Sequence, residues 1–291
     1  MRRKHLVLIS LAGLACSVAL ILRKGRQKAR IDDWPVNLAH RGASSLAPEN
    51  TIEAFRIALE AGAGGLELDV HMTRDGHIVV IHDASLDRTT SGTGAVSEMT
   101  IGELRGPDAG HNFSPDGAPT RPYRGKGSRV PTLEEVLREF PMVAINIDIK
   151  AGSSGIEAAV LGVLREADAF GRVLVVSTPH ATVKRFREIS GGHISTGASR
   201  WETGIFYLLS RLHLEWLARP DYDALQVPPV HRGISLVTPR FIAAAHRRGV
   251  RVDVWTINQP DEMRRLLDLG VDVIMTDRPG TLTEVLRERE I

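Results

Sequence analysis

Two acidic side chains two positions apart, Glu67 and Asp69, sit in the apolar run Leu66–Val70. A third carboxylate, Asp148, sits in Val143–Ile149, two positions before Lys150. His40-Arg41 ends one short apolar segment and His82 ends another, while Trp255-Thr256-Ile257-Asn258 and Thr276-Asp277-Arg278-Pro279 close two late ones. Carboxylates without thiols are hard oxygen donors and suit Mg²⁺ or Ca²⁺ better than zinc. Arginine and lysine beside such an ion suit a phosphate. Two histidines can divide the acid and base roles in P–O cleavage. Each residue also has a plainer reading. Glu67 and Asp69 alone are a pair of strand carboxylates, Asp148 and Lys150 alone are a salt bridge, His82 alone is a hairpin residue, and Trp255 alone is rim packing.

The elements that must hold these groups are legible from periodicity. From Val36 onward, short apolar strands alternate with helical patterns. The expected strands are Val36–His40, Leu66–Val70, Val143–Ile149, Val173–Ser177, His193–Ala198, Ala224–Val227, Val250–Thr256 and Asp272–Thr276. Helices are expected over Thr51–Ala61, Leu133–Phe140, Ile156–Ala167, Ala181–Ile189, Arg240–Arg248 and Asp261–Leu269. Asn50-Thr51-Ile52-Glu53 and Thr132-Leu133-Glu134-Glu135 read as helix starts, Gly249 and Gly270 as stops. Strand–helix alternation argues for a parallel sheet, and eight repeats in this length fit a (β/α)8 barrel. Active sites of such barrels lie at the C-terminal ends of the strands, where the candidate residues fall.

Two stretches break the alternation. His77–His82 follows Leu66–Val70 after only Thr73-Arg74-Asp75-Gly76, too short for a parallel crossover. Asp-Gly is a hairpin turn, and with Asp75 and Gly76 at its tip Val70 faces Ile81 and Asp69 faces His82. His71 lies one step farther out on the face of Asp69 and is read as structural. Residues 84–130 are rich in Gly, Pro, Ser and Thr, and an insertion of that size is expected to be functional or a small subdomain. Ile205–Leu217 is aromatic and leucine-rich, a core or rim helix whose exposed face could take an acyl chain.

Composition sets the outer bounds. The 291 residues are 43% hydrophobic and 25% charged, as in a folded globular protein. One cysteine, Cys16, excludes an intrachain disulfide and a cysteine-built zinc site. Residues 1–30 hold eight Lys/Arg and no acid, which leaves 29 Lys/Arg against 35 Asp/Glu in the remainder, a net of −6. That mildly acidic body does not suit nucleic acid. Leu6–Leu22 is a charge-free run flanked by basic residues, about 26 Å as a helix. The expectation is an uncleaved single-pass membrane anchor over residues 1–30, with the catalytic body in 36–291. Cleavage of a signal peptide or lipoprotein processing at Cys16 is the alternative, and the side of the membrane is open.

The ordered motifs Ala39-His40-Arg41-Gly42, Pro48-Glu49-Asn50-Thr51, Glu67-Leu68-Asp69-Val70, Thr73-Arg74-Asp75-Gly76, His82-Asp83 and Leu86-Asp87-Arg88-Thr89-Thr90 resemble those of the glycerophosphodiester phosphodiesterase family. Pro131-Thr132-Leu133-Glu134-Glu135, Val254–Asn258 and Thr276–Pro279 extend the resemblance over residues 36–280. It implies a barrel enzyme that releases glycerol 3-phosphate and an alcohol from a small-molecule phosphodiester. It also implies metal ligands at Glu67, Asp69 and Asp148, an acid–base pair in His40 and His82, and Arg41 on the phosphate. Lys150 is expected beside Arg41 on the phosphate, and Trp255 on the pocket wall. Residues 84–130 fall where the family carries its small insertion. The family usually has glutamate where this chain has Asp148. A lysophospholipase D acting on membrane lysolipids, or a barrel that binds a phosphodiester without turnover, are the alternatives.

Overall fold

The computed structural model describes residues 34–150 and 152–289. The expected anchor over residues 1–30 lies outside the described residues. Eight parallel strands form one cylinder. They are β1 (Asn37–His40), β2 (Gly65–Met72), β4 (Ala144–Ile149), β5 (Val173–Val176), β6 (Ser195–Thr196), β7 (Ala224–Val227), β10 (Arg251–Val254) and β11 (Val273–Thr276). A short strand β3 (Ile78–Val80) pairs antiparallel with β2, and a small hairpin β8 (Val230–His231) and β9 (Ile234–Ser235) follows β7. The order around the sheet is β6-β5-β4-β2-β1-β11-β10-β7. The last gap is bridged in parallel at Gly197 and Ala224, with Ala198 N–H donating to Ala224 O at 2.8 Å and Asp223 N–H to Thr196 O at 2.7 Å. Gly197 is required there, because a Cβ would lie 2.5 Å from Val176 Cγ1.

The eight expected parallel strands all form, each within three residues of its expected ends. Helices begin where side-chain caps occur. Thr51 accepts from Ala54 N–H to start Ile52–Glu60, and Thr132 and Glu135 form a reciprocal capping box ahead of Leu133–Glu139. Another box, Ser199 with Glu202, starts the helix Arg200–Arg211, which overlaps the leucine-rich stretch Ile205–Leu217. Alternation along each strand sorts the side chains. Leu66, Leu68 and Val70 of β2 and Ile145, Ile147 and Ile149 of β4 pack outward against the helices. Glu67, Asp69, Asn146 and Asp148 take the opposite face and fill the barrel interior. Below the rim that interior is a closed polar set, with Gln226 donating to Asn146 at 3.1 Å and to Asp253 at 3.2 Å.

The hairpin register differs from expectation by one residue. Val70 pairs with Val80 and His71 with Val79. The turn is longer than a two-residue tip: Thr73 N–H donates to His77 O at 2.9 Å, so Arg74, Asp75 and Gly76 form a three-residue loop with Gly76 at φ +87°. A left-handed third residue is what that loop length demands. Asp69 O therefore accepts from Ile81 N–H at 3.0 Å, and His82 lies beyond β3 rather than opposite Asp69.

Residues 84–130 pack as a subdomain on the outer side of that hairpin. Leu86, Val96, Leu104, Ala109 and Val130 bury against Val79 and Ile81. The insertion is thereby fixed over one side of the barrel mouth.

Candidate active site

Strand pairing brings the three carboxylates together. Asp69 of β2 and Asp148 of β4 are direct register partners, and Glu67 lies one inward position deeper than Asp69. Lys150, just past β4, bridges the pair, with Nζ 2.7 Å from Asp69 Oδ1 and 2.6 Å from Asp148 Oδ2. Asp69 also accepts from Asn50 Nδ2 at 2.9 Å and has Arg41 Nε at 3.2 Å. Burial works against the Asp69 carboxylate, yet Lys150 and Arg41 outweigh it and hold its pKa below the usual range. Glu67 goes the other way. Burial and the Asp69 charge raise its pKa, against the opposing pull of His40 and Arg41. Asp148 is likewise raised, first by burial, although Lys150 opposes the shift.

The backbone is shaped to present these groups. Arg41 and Asn50 both adopt left-handed backbone at φ 56° and 58°, a costly conformation for residues with a Cβ. In that conformation Arg41 N–H donates to Glu67 Oε2 at 3.0 Å, and Asn50 reaches Asp69. Gly42 permits the tight turn, since a Cβ there would sit 2.7 Å from the backbone of Ala54.

Both histidines are held through Nδ1. His40 Nδ1 is 2.7 Å from Asp277 Oδ1, which leaves Nε2 facing Glu67 Oε2 at 4.0 Å. Asp277 also accepts from Ser44 and from Asn258 Nδ2 at 2.7 Å, and its pKa is about 2. Burial opposes that charge, but His40 and the hydrogen bonds dominate. Burial also disfavours the His40 imidazolium, but Glu67 and Asp277 outweigh it and raise its pKa above the ordinary value. His82 repeats the arrangement, with Nδ1 2.7 Å from Asp83 Oδ1. Its neighbour His71 donates from Nε2 to His82 O, 3.1 Å away, and so braces the return strand.

A relay ties the two halves together. Arg88 of the insertion grips Asp83 through Nε at 2.5 Å and Glu49 through both terminal nitrogens at 2.7–2.8 Å. Glu49 in turn accepts from Arg41 at 3.0 Å. A cavity of about 290 Å³ opens beside this relay, between Ser44 and Pro48 of the barrel and Asn112 and Phe113 of the insertion. Trp255 follows β10 at the same rim, 42% exposed, and is not part of the carboxylate cluster.

The eight expected residues thus lie on β1, β2 and β4 or just past β1, β3, β4 and β10, with Glu67 the deepest of them. The sequence reading gave no role to Asp277, Asp83, Glu49, Arg88 and Asn50. All five stood inside the quoted motifs, but Asn50 meets Asp69 19 positions away, Arg88 meets Glu49 39 positions away and Asp277 meets His40 237 positions away.

The donor set fits a hard divalent ion in chemistry. It is all carboxylate oxygen, and Asp148 Oδ1 is buried with no hydrogen-bond partner, which burial makes costly. Among the described residues no three His, Cys, Asp or Glu side chains stand together at coordinating positions, and Lys150 lies between Asp69 and Asp148.

A model of the glycerophosphoryl diester phosphodiesterase family matches residues 40–281. The chain belongs to that family. A glycerophosphodiester phosphodiesterase of Caldanaerobacter subterraneus is 34% identical, over 86% of this chain and 97% of that protein. The probable glycerophosphodiester phosphodiesterase 2 of Mycobacterium tuberculosis is 33% identical, over 87% of this chain and 91% of its own. Among solved structures, the family member from Agrobacterium tumefaciens superposes with a TM-score of 0.69 at 27% identity, over 85% of this chain and 98% of that chain. A phosphodiesterase from Oleispira antarctica, solved with its product sn-glycerol-3-phosphate, has a TM-score of 0.68 at 25% identity, over 86% of this chain and 96% of that chain. This glycerophosphoryl diester phosphodiesterase family member therefore shares its barrel with these structures over most of its described length.

Proposed function

We propose that this protein hydrolyses glycerophosphodiesters to glycerol 3-phosphate and an alcohol, using one divalent ion held by Glu67, Asp69 and Asp148. The observation that carries the reading is the pair of imidazoles, His40 and His82. Each is held at Nδ1 by an aspartate, at the mouth that gathers three carboxylates and two cations. The family's named activity and the product held by the Oleispira relative support it.

An aspartate on Nδ1 fixes the tautomer and leaves Nε2 for proton transfer. One imidazole takes the proton of the attacking hydroxyl or water as its oxygen bonds to phosphorus. The other gives a proton to the departing alkoxide as the P–O bond breaks, so charge and protons balance. Arg41 and Lys150 neutralise the phosphoryl oxygens, where charge grows in the transition state. A bound Mg²⁺ or Ca²⁺ would supply Lewis-acid stabilisation of that charge. The cavity beside Arg88 gives room for the alcohol.

The test is an activity panel on glycerophosphocholine and related diesters, with glycerol 3-phosphate measured directly. Activity should vanish in excess chelator and return with Mg²⁺ or Ca²⁺. Full activity in chelator overturns the metal assignment, and no release of glycerol 3-phosphate from any diester overturns the substrate class.

Residues 1–30 are proposed to hold the enzyme at a membrane through Leu6–Leu22. The full chain should sediment with membranes, and a chain starting near Ile31 should stay in the supernatant and keep its activity. A full chain that stays in the supernatant overturns the anchor.

A further inference from the structure

The helix Arg200–Arg211 turns an apolar stripe away from the barrel. Trp201, Ile205, Leu208 and Leu212 recur at spacings of four, three and four, which places them in one line along the helix. Trp216 follows in the short turn Glu215–Leu217. These five residues are 40–66% exposed and make up five of the eleven exposed large hydrophobics among the described residues. The opposite side of the same helix, Phe206 and Ser210, is buried, so the stripe is surplus to the packing of the barrel.

Charge around the stripe has one sign. At 3.6 residues per turn Arg200 and Arg211 follow a single edge of it, and both are exposed, as is His213. The carboxylates of the segment are turned inward and already paired, Glu202 with Arg187 and Glu215 with Arg240 and Arg247. Aromatic rings at both ends, leucine between them and arginine alongside make the pattern of a helix that lies in a membrane interface.

The remaining chain brings a bilayer within reach. The N-terminal 33 residues carry the charge-free run Leu6–Leu22 and eight Lys/Arg, and they join the barrel at Trp34. Trp34 is fixed by the Arg251 guanidinium 4.8 Å above its ring. It precedes β1, so it lies at the end of the barrel where strands begin, the end to which Leu212 and Trp216 lead before β7. Residues 23–33 reach at most about 40 Å when extended, more than the ~30 Å diameter of a small domain.

We propose that the stripe Trp201–Ile205–Leu208–Leu212, with Trp216, docks on the surface of an anionic phospholipid bilayer. Docking would fix the orientation of the barrel relative to the lipid, which attachment through one terminus alone does not do. The inference goes beyond the proposed hydrolysis and does not require it.

The test uses the full chain with vesicles of phosphatidylcholine and phosphatidylglycerol in a 3:1 ratio, made with brominated lipids that quench tryptophan. Trp201→Phe combined with Trp216→Phe should remove at least half of the lipid-dependent quenching. Leu208→Glu combined with Leu212→Glu should abolish it at those two rings without changing turnover of a water-soluble diester. Quenching should fall when phosphatidylglycerol is omitted or salt is raised. Vesicle sedimentation without quenching of Trp201 and Trp216 overturns the stripe and leaves the N-terminal anchor standing. Amide exchange at 200–212 that is slow in detergent and unchanged by lipid also overturns it. In that case a second copy covers the stripe if light scattering gives a dimer, and Leu6–Leu22 covers it if the protein is a monomer.

Discussion

His40 Nδ1 lies 2.7 Å from Oδ1 of Asp277, a residue 237 positions later in the chain. β1 and β11 are neighbours in the barrel, and their register pairs Ala39 with Thr276, so the residues that follow each strand are brought side by side. The pair both selects a tautomer and sets a charge. Removing the carboxylate charge in Asp277→Asn lets burial act on His40 without that opposing pull, so its pKa falls. The limb of the kcat/KM profile governed by His40 should move to lower pH while the other limb stays. If the acid limb moves, His40 is the base; if the alkaline limb moves, it is the acid. The rate should drop by about 10²–10⁴. A profile with both limbs unmoved would show that His40 does not titrate in the reaction.

The two imidazoles should behave as one unit. His40→Ala and His82→Ala are each expected to cost about 10²–10⁴ in rate. The double variant should be little worse than the worse single one, because groups that act in the same step are not additive. Steady-state rates for the four proteins measure this directly. Multiplicative losses would separate the histidines into independent roles, and near-normal turnover of His82→Ala would remove it from the chemistry.

Much of this site could be read in the sequence because strand alternation is strict. Glu67 and Asp69 share a face with Asn146 and Asp148 for the same reason that Leu66, Leu68 and Val70 share the other. The position of His82 was not legible, because one extra residue in a turn flips every side chain after it. Asp75-Gly76 reads equally as a two-residue tip or as the end of a three-residue loop, and only the Thr73–His77 pairing decides. Asp277, Glu49 and Arg88 were visible as motif residues, but their roles come from contacts across the barrel mouth that spacing does not encode. Residues 84–130 had no periodicity to read, and their order comes from packing against Val79 and Ile81.

Arg88 should matter more for positioning than its half-exposed place suggests. It holds Asp83, and hence His82, with one edge and Glu49, and hence Arg41, with the other. Arg88→Ala should lower kcat about tenfold with a smaller change in KM, because it loosens groups used in the transition state rather than a substrate contact. Arg88 is also the main cause of the low Asp83 pKa of about 2. A depressed carboxylate contributes stability that is full above its unfolded value near 3.8 and is lost as pH falls through about 2. The stability gap between wild type and Arg88→Ala should therefore shrink between pH 4 and pH 2 in denaturant unfolding. A gap constant over that range would mean that Arg88 acts through packing alone.

The proposed divalent ion would compete with Lys150 for Asp69 and Asp148. The ammonium now neutralises Asp69 and Asp148 together, and Asp148 Oδ1 is left buried without a partner. Lys150→Met removes the internal cation and leaves two facing carboxylates, a loss on the order of 3–5 kcal/mol for a buried pair that is broken. In chelator this variant should melt well below wild type. Mg²⁺ or Ca²⁺ should then restore more stability to it than to wild type, since a ligand at about 100 times its Kd adds about 2.7 kcal/mol and the ion no longer has to displace Lys150. Asp148→Asn should weaken metal affinity at least about tenfold, the scale of even outer-shell losses. Asp148→Glu, which restores the family's usual residue and a reach longer by about one methylene, should bind at least as tightly. Calorimetric titration with each ion, alongside thermal melts, checks all three variants. If the metal stabilises wild type and Lys150→Met equally, the ion does not sit between Asp69 and Asp148, and Lys150 is a permanent part of the site that any bound metal must lie beside.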